Sequence, residues 1–140
     1  MTRRLRRWLV VPMILGLALV TAGCSGDEEG VGVTLADFSV TPDTDSAPAG
    51  EITFDVTNDA EQTHEFVVFK TDLAEDRLPT DENGDVDESG EGVELVDEIE
   101  DIEGGSTRSL TVNLDAGSYV FICNLPGHYQ QGMHASFTAS

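Results

Sequence analysis

From residue 31 to residue 140 apolar side chains tend to recur at every second position, in short runs bounded by Gly, Pro, Asn and Asp. That period predicts strands rather than helices. Val31, Val33 and Leu35 alternate with small or polar residues, and Phe38 and Val40 continue on the opposite parity, so a bulge or break is expected near Asp37. Residues 41–50, with Pro42, Pro48 and Gly50, form a turn-rich connection. The clearest strand is 51–57, where Ile52, Phe54 and Val56 face one way and Glu51, Thr53, Asp55 and Thr57 the other. After the Asn58-Asp59 turn, residues 64–70 put His64, Phe66 and Val68 on one face. Gly104-Gly105 leads into 107–114, with Leu110, Val112 and Leu114 aligned. Beyond the turn at Asp115-Ala116-Gly117, residues 118–123 are apolar on both faces. Ala135, Phe137 and Ala139 alternate with Ser136 and Thr138 to close the chain. Short strands at regular spacing predict an all-β fold, a sandwich of two antiparallel sheets.

One stretch breaks the rhythm. Residues 72–103 contain 15 acidic side chains interrupted by Pro79, Gly84, Gly90 and Gly92, and read as one acidic loop insertion. Its first half is expected to be a solvated loop too polar to bury a core. In the second half Val93, Val96 and Ile99, or Leu95, Ile99 and Ile102, have helix-like spacing, so a short helix or an irregular strand is expected there. The alternating acids from Asp81 to Asp87 do not match a calcium loop of the EF-hand type, which has glycine sixth and a bidentate carboxylate twelfth; Val86 and Gly92 stand there instead.

The first 23 residues are an export signal rather than fold. Arg3, Arg4, Arg6 and Arg7 form a basic start, residues 9–20 an apolar run too short to span a bilayer, and Ala22-Gly23-Cys24 resembles the end of a lipobox, with Thr21 where Leu or Val is usual. The expected division is therefore a lipoprotein signal peptide (1–23), a lipidated Cys24 with an acidic tether (24–32) and one domain (33–140). The expected location is outside the cytoplasm, lipid-anchored to the outer face of the cytoplasmic membrane, or in the periplasm or at the cell surface. Beyond the signal only Lys70, Arg77 and Arg108 are basic, against 27 acidic residues. With no basic stripe, nucleic acid is excluded as a partner, and steering favours basic partners.

Cys123 is then the one thiol of the exported domain, in a compartment that would oxidise it unless something occupies it. His128 and Met133 follow it at steps of five residues, across a Pro126-Gly127 turn. Thiolate, imidazole and thioether are a soft donor set that selects copper, and a trigonal blue-copper site needs one more imidazole. His64, at the start of a strand whose inward face carries Phe66 and Val68, is placed to supply it. His134 is expected at the surface, and Tyr119 is expected to bond back to a nearby backbone carbonyl as in a tyrosine corner.

The pattern Cys-x4-His-x4-Met, preceded by Asp115-Ala-Gly-Ser-Tyr-Val-Phe-Ile122 and following an upstream His64-Glu-Phe strand, resembles the type 1 copper site of the cupredoxin family, which includes plastocyanin-, azurin- and auracyanin-like proteins. The similarity covers residues 33–140. It implies an eight-stranded Greek-key β-sandwich holding one copper through His64, Cys123, His128 and Met133, and single-electron transfer by Cu(II)/Cu(I) rather than enzymatic catalysis. It also implies an amide hydrogen bond from Glu65 to the thiolate. Asn124 is expected to tie the ligand loop to the His64 loop. Leu125, Pro126, Tyr129 and Met133 are expected to surround an exposed edge of His128 as an apolar entry patch for electrons, where redox partners dock transiently on a monomer. The alternative is a copper-binding or copper-delivery lipoprotein without redox cycling. A binuclear copper centre is excluded, since it needs two cysteines on one loop.

Overall fold

The computed structural model describes residues 30–140; the signal sequence, Cys24 and the tether up to residue 29 lie outside them. Nine strands follow in order: β1 (Val31–Ala36), β2 (Ser39–Pro42), β3 (Ser46–Ala47), β4 (Gly50–Asn58), β5 (His64–Lys70), β6 (Glu94–Ile102), β7 (Thr107–Leu114), β8 (Gly117–Ile122) and β9 (His134–Ala139). They form a four-stranded sheet, β2-β1-β4-β7, and a five-stranded sheet, β3-β9-β8-β5-β6. Between them lies the core, in which Phe54, Phe66, Phe121 and Phe137 pack ring to ring at centroid separations of 5.0 to 5.7 Å. Offset and edge-on aromatic pairs at this spacing add to the burial of their area.

Several expectations are corrected. The sheets are mixed: β1 runs parallel to β4, and β3 parallel to β9. After β2 the chain leaves the first sheet, lies briefly beside β9 as β3, and returns as β4 in the direction of β1; a crossover of this kind delivers a parallel strand. The first strand begins at Val31, so Val31 and Gly32 belong to the sandwich and not to a tether that runs to residue 32. The break near Asp37 is a two-residue hairpin loop, since Ala36 pairs with Ser39, and Phe38 is exposed in it at φ 65° rather than in a strand. Among the described residues the strand count is nine rather than eight.

The acidic stretch changes most. Its second half is strand β6, whose two register shifts against β5 mark bulges and explain the irregular spacing of its apolar residues. Its first half is not simply solvated. Leu78 and Val86 are buried and, with Val67, Phe69, Val120, Ile122 and Tyr129, make a second apolar cluster on the outer face of β5 and β8. Those two strands are apolar on both faces because both faces are covered, one by the other sheet and one by residues 78–93. Tyr119 makes the expected corner, its hydroxyl donating to the Asp115 carbonyl at 2.8 Å.

Candidate metal centre

Residue parity on β5 and β8 delivers two of the donors to one end of the sandwich. The strands pair antiparallel with Val67 opposite Ile122, which sets His64 and Cys123 at neighbouring strand ends. On both strands the alternate residues Phe66, Val68, Tyr119 and Phe121 enter the inter-sheet core. His64 and Cys123 are fully buried.

The loop between Cys123 and β9 brings the third donor back. Pro126 and Gly127 occupy the middle of a turn closed by the His128 amide donating to the Leu125 carbonyl at 2.9 Å. Gly127 has φ 79°, the positive angle that a type II turn demands after proline. A single 3₁₀ turn, Tyr129–Gln131, follows, capped by Gly132 at φ 110°. The Met133 amide then donates to the His128 carbonyl at 3.2 Å, and the Cys123 amide to the Met133 carbonyl at 3.1 Å. These two bonds cinch all three loop donor residues together, and Met133 is fully buried in the core cluster that includes Cys123.

The donor atoms form a small triangle. Nδ1 of His64 and Nδ1 of His128 are 3.2 Å apart, and the Cys123 Sγ lies 3.8 Å from the first and 3.4 Å from the second. A point about 2 Å from all three atoms falls inside that triangle, close to the length of a bond from a first-row metal to imidazole or thiolate. His64, Cys123 and His128 form the one such group of His, Cys, Asp or Glu donors among the described residues. The acidic run at Asp81 forms none: the Asp81 Oδ1 is instead taken up by the amides of Asn83, Gly84 and Asp85.

Burial governs the protonation of the donors. Burial pushes the Cys123 thiol up, opposed by hydrogen bonds from the amides of Glu65 and Leu125. The Glu65 amide lies 3.4 Å from Sγ, as expected from the resemblance. His64 is pushed down, first by burial and then by the neighbouring His128, with Asp37 opposing. Without metal the site therefore holds a thiol and a neutral His64 imidazole, and a cation binds by displacing the thiol proton. The Glu65 carboxyl is raised to about 7, chiefly by burial and then, against the Asn124 amide, by Glu98, Glu88 and Glu100.

Two predicted roles are revised. The Asn124 side chain ties the ligand loop to the acidic insertion, its Oδ1 accepting from the Val86 amide at 2.7 Å and its Nδ2 donating to the Val86 carbonyl at 3.0 Å and to Glu88 at 3.1 Å, while its backbone amide bonds the carboxyl of Glu65, next to His64. Tyr129 is no part of an exposed patch. It is 6% exposed, and its hydroxyl donates to the Glu75 carbonyl at 2.9 Å while accepting from the Leu78 amide at 3.0 Å. Met133 is likewise buried, which leaves Leu125, Pro126 and the edge of His128 toward solvent. His134 is half-buried, its Nδ1 3.2 Å from a Glu75 carboxylate oxygen. Residues that sequence reasoning passed over are Asp85, whose carboxylate accepts from the Gly127 amide at 2.9 Å, and Phe38, whose carbonyl oxygen lies 3.2 Å from where a Cβ on Gly132 would stand. The parity break at residue 37 and the lone apolar Val86 among acids were the available signals.

Two imidazole nitrogens and one thiol sulfur in a trigonal array at the end of a β-sandwich, with the thioether residue Met133 buried in the same cluster as the thiol, define a mononuclear type 1 copper site. The chain belongs to the cupredoxin-like domain family, whose model matches residues 9–135. No curated protein sequence matches it. Its fold is similar to that of reduced auracyanin from Roseiflexus castenholzii (20% identity, 79% of this chain and 96% of that one, TM-score 0.57). It is also similar to auracyanin A, a "blue" copper protein from Chloroflexus aurantiacus (20% identity, 78% and 99%, TM-score 0.51), and to rusticyanin from Thiobacillus ferrooxidans (19% identity, 79% and 77%, TM-score 0.53). Its cofactor is one type 1 copper, and the donor set present fits it.

Proposed function

We propose that the protein carries single electrons, cycling one copper between Cu(II) and Cu(I) at His64, Cys123, His128 and Met133, as a lipid-anchored domain outside the cytoplasm. The observation that carries this reading is the triangle of Nδ1, Nδ1 and Sγ, whose centre lies at bonding length from all three atoms. When bound, the copper supplies the one-electron couple. The chain's own residues supply rigidity: β5 and β8 fix His64 and Cys123, the backbone bonds of the ligand loop fix His128 and Met133, and the Glu65 amide stabilises the sulfur charge. Burial of the donors keeps water and competing ligands away, so little has to rearrange when charge changes.

Electrons pass through the solvent-facing edge of His128, ringed by Leu125 and Pro126. Such redox encounters are small and weak, and the acidity of the rest of the surface favours a basic partner. Copper delivery without redox cycling fits less well, because hand-over needs accessible donors and three of these four residues are fully buried. Anchoring rests on Cys24 and its flanking sequence.

The test is the absorption spectrum of the copper-loaded domain. An intense visible thiolate-to-Cu(II) band that bleaches on reduction and is absent in Cys123→Ser is expected; a colourless or permanently Cu(I) protein refutes electron transfer. Incorporation of labelled fatty acid by the full chain, lost in Cys24→Ser, tests the anchor separately.

A further inference from the structure

His64 uses one ring nitrogen for the metal triangle, and the fate of the other is unexplained by that role. Its Nε2 is buried and has no hydrogen-bond partner among the described residues. An imidazole that offers Nδ1 to a metal must carry its proton on Nε2, and a buried N–H without an acceptor is costly. The group facing it is a carboxylate: Asp37 Oδ1 lies 3.7 Å from Nε2, beyond hydrogen-bond length but within ion-pair reach.

The placement of that carboxylate is built into the fold. Asp37 and Phe38 are the two residues of the β1–β2 hairpin loop, and Phe38 holds φ 65°, a left-handed angle that bulky side chains rarely adopt. The same Asp37 oxygen accepts a hydrogen bond from the Gln62 side chain at 2.7 Å. Gln62 in turn is fixed by the fully buried Asn58, whose Nδ2 donates to the Gln62 carbonyl at 2.8 Å. A chain of polar contacts thus runs from β4 through the loop before β5 to the far side of the His64 ring. The Asp37 side chain is 58% exposed, so a small rotation brings it onto Nε2 without disturbing the core.

We propose that Asp37 is the positioning residue for His64: its carboxylate takes the Nε2–H, holds the ring in the tautomer that leaves Nδ1 bare for copper, and by its charge favours the oxidised ion over the reduced one. A metal-bound imidazole whose second N–H meets a carboxylate is a better donor, and such partners govern affinity and potential. The inference rests on the electron-carrier reading for its effect on potential, but not for its effect on the tautomer.

Two variants separate position from charge. Asp37→Asn keeps an acceptor oxygen of the same shape and removes the charge; Asp37→Ala removes both. In the copper-free protein, ring ¹⁵N shifts of His64 should show the proton on Nε2 in wild type and Asp37→Asn, and a mixture of tautomers in Asp37→Ala. In the copper-loaded protein, the ratio of oxidised to reduced ion at a fixed solution potential should fall about tenfold in both variants, the size expected for losing one charge near the site at a partly solvated position. A proton on Nδ1 in wild type overturns the proposal. So do variants that only lower the melting temperature, leaving tautomer and potential unmoved. Should wild type lack the thiolate-to-copper band altogether, the electron-carrier reading fails while the copper-free tautomer still decides the role of Asp37.

Discussion

Replacing Tyr129 by Phe tests whether the acidic insertion is a fixed cover or a tethered loop. The Tyr129 ring packs in the outer apolar cluster with Leu78 and Val86, and phenylalanine keeps that area. What is lost is the hydroxyl, which accepts from the Leu78 amide at 3.0 Å and donates to the Glu75 carbonyl at 2.9 Å. The Leu78 residue is 5% exposed, so its amide is left in an apolar setting without water, at a cost of about 1–3 kcal/mol. The Glu75 carbonyl, in a residue that is only partly buried, adds ~0.5 kcal/mol. The sum is about 2 kcal/mol, or a fall of roughly 8 °C in melting temperature for a domain of this size. Urea unfolding of the copper-free domain measures it, with an unchanged m-value confirming that the folded surface is the same. The hydroxyl is bonded to none of the four metal donors, so the copper band should keep its position. A loss under about 0.5 kcal/mol would mean that Tyr129 does not hold the insertion down and that the cover is dispensable.

Asn58→Ala removes a fully buried amide that donates to the carbonyls of Gln62 and Ile102 at 2.8 Å each and accepts from the Ala60 amide at 3.0 Å; about 2–3 kcal/mol of stability should go, read by denaturant titration. Gly132→Ala forces a side chain onto φ 110° with its Cβ 3.2 Å from the Phe38 carbonyl oxygen, costing ~1–3 kcal/mol and weakening copper binding because this turn delivers Met133. The control is Gly105→Ala, at φ 75° with open space around it, which should cost ~1 kcal/mol and leave copper binding alone; equal losses of copper affinity in the two variants refute the assignment. Removing copper should lower stability by about 4 kcal/mol when free copper had been a thousandfold above its dissociation constant, and Cys123→Ser should erase that difference in a calorimetric comparison with and without metal.

Donor residues were legible in the sequence because each is fixed by a local rule. Strand parity placed His64 with Phe66 and Cys123 with Phe121, and the Pro126-Gly127 turn fixed how the loop returns. The hairpin at Asp37 was signalled by a change of parity, but not its consequence, since the approach of that loop to His64 and Gly132 is a contact between segments far apart in sequence. The parallel pairing of β1 with β4 was hidden for the same reason: alternation says which face a residue takes and nothing about which strand lies alongside. Tyr129 misled because an aromatic residue next to a ligand on a loop looks exposed until the partner that buries it is known.

That partner also accounts for the strangest part of the chain. Strands β5 and β8 carry apolar residues on both faces, a pattern that in an edge or a simple two-layer sandwich would leave Val67, Phe69, Val120 and Ile122 in water. Residues 78–93 solve this with few apolar side chains, Leu78, Val86 and Val93, and with polar bonds aimed at the ligand loop rather than at the strands. Asp85 receives the Gly127 amide, Asn124 brackets Val86 from both backbone sides, and Gln130 donates to the Asn83 carbonyl at 3.2 Å. The segment therefore covers the back of the strands that carry His64 and Cys123, and at the same time braces the loop that carries His128 and Met133. Its acidity is partly put to use: Asp85 and Glu88 accept from the ligand loop, and Asp81 holds the turn at residues 83–85. A stretch whose composition reads as solvated loop is in this fold a brace for the metal loop, and two of its carboxylates, Asp85 and Glu88, are part of the bracing.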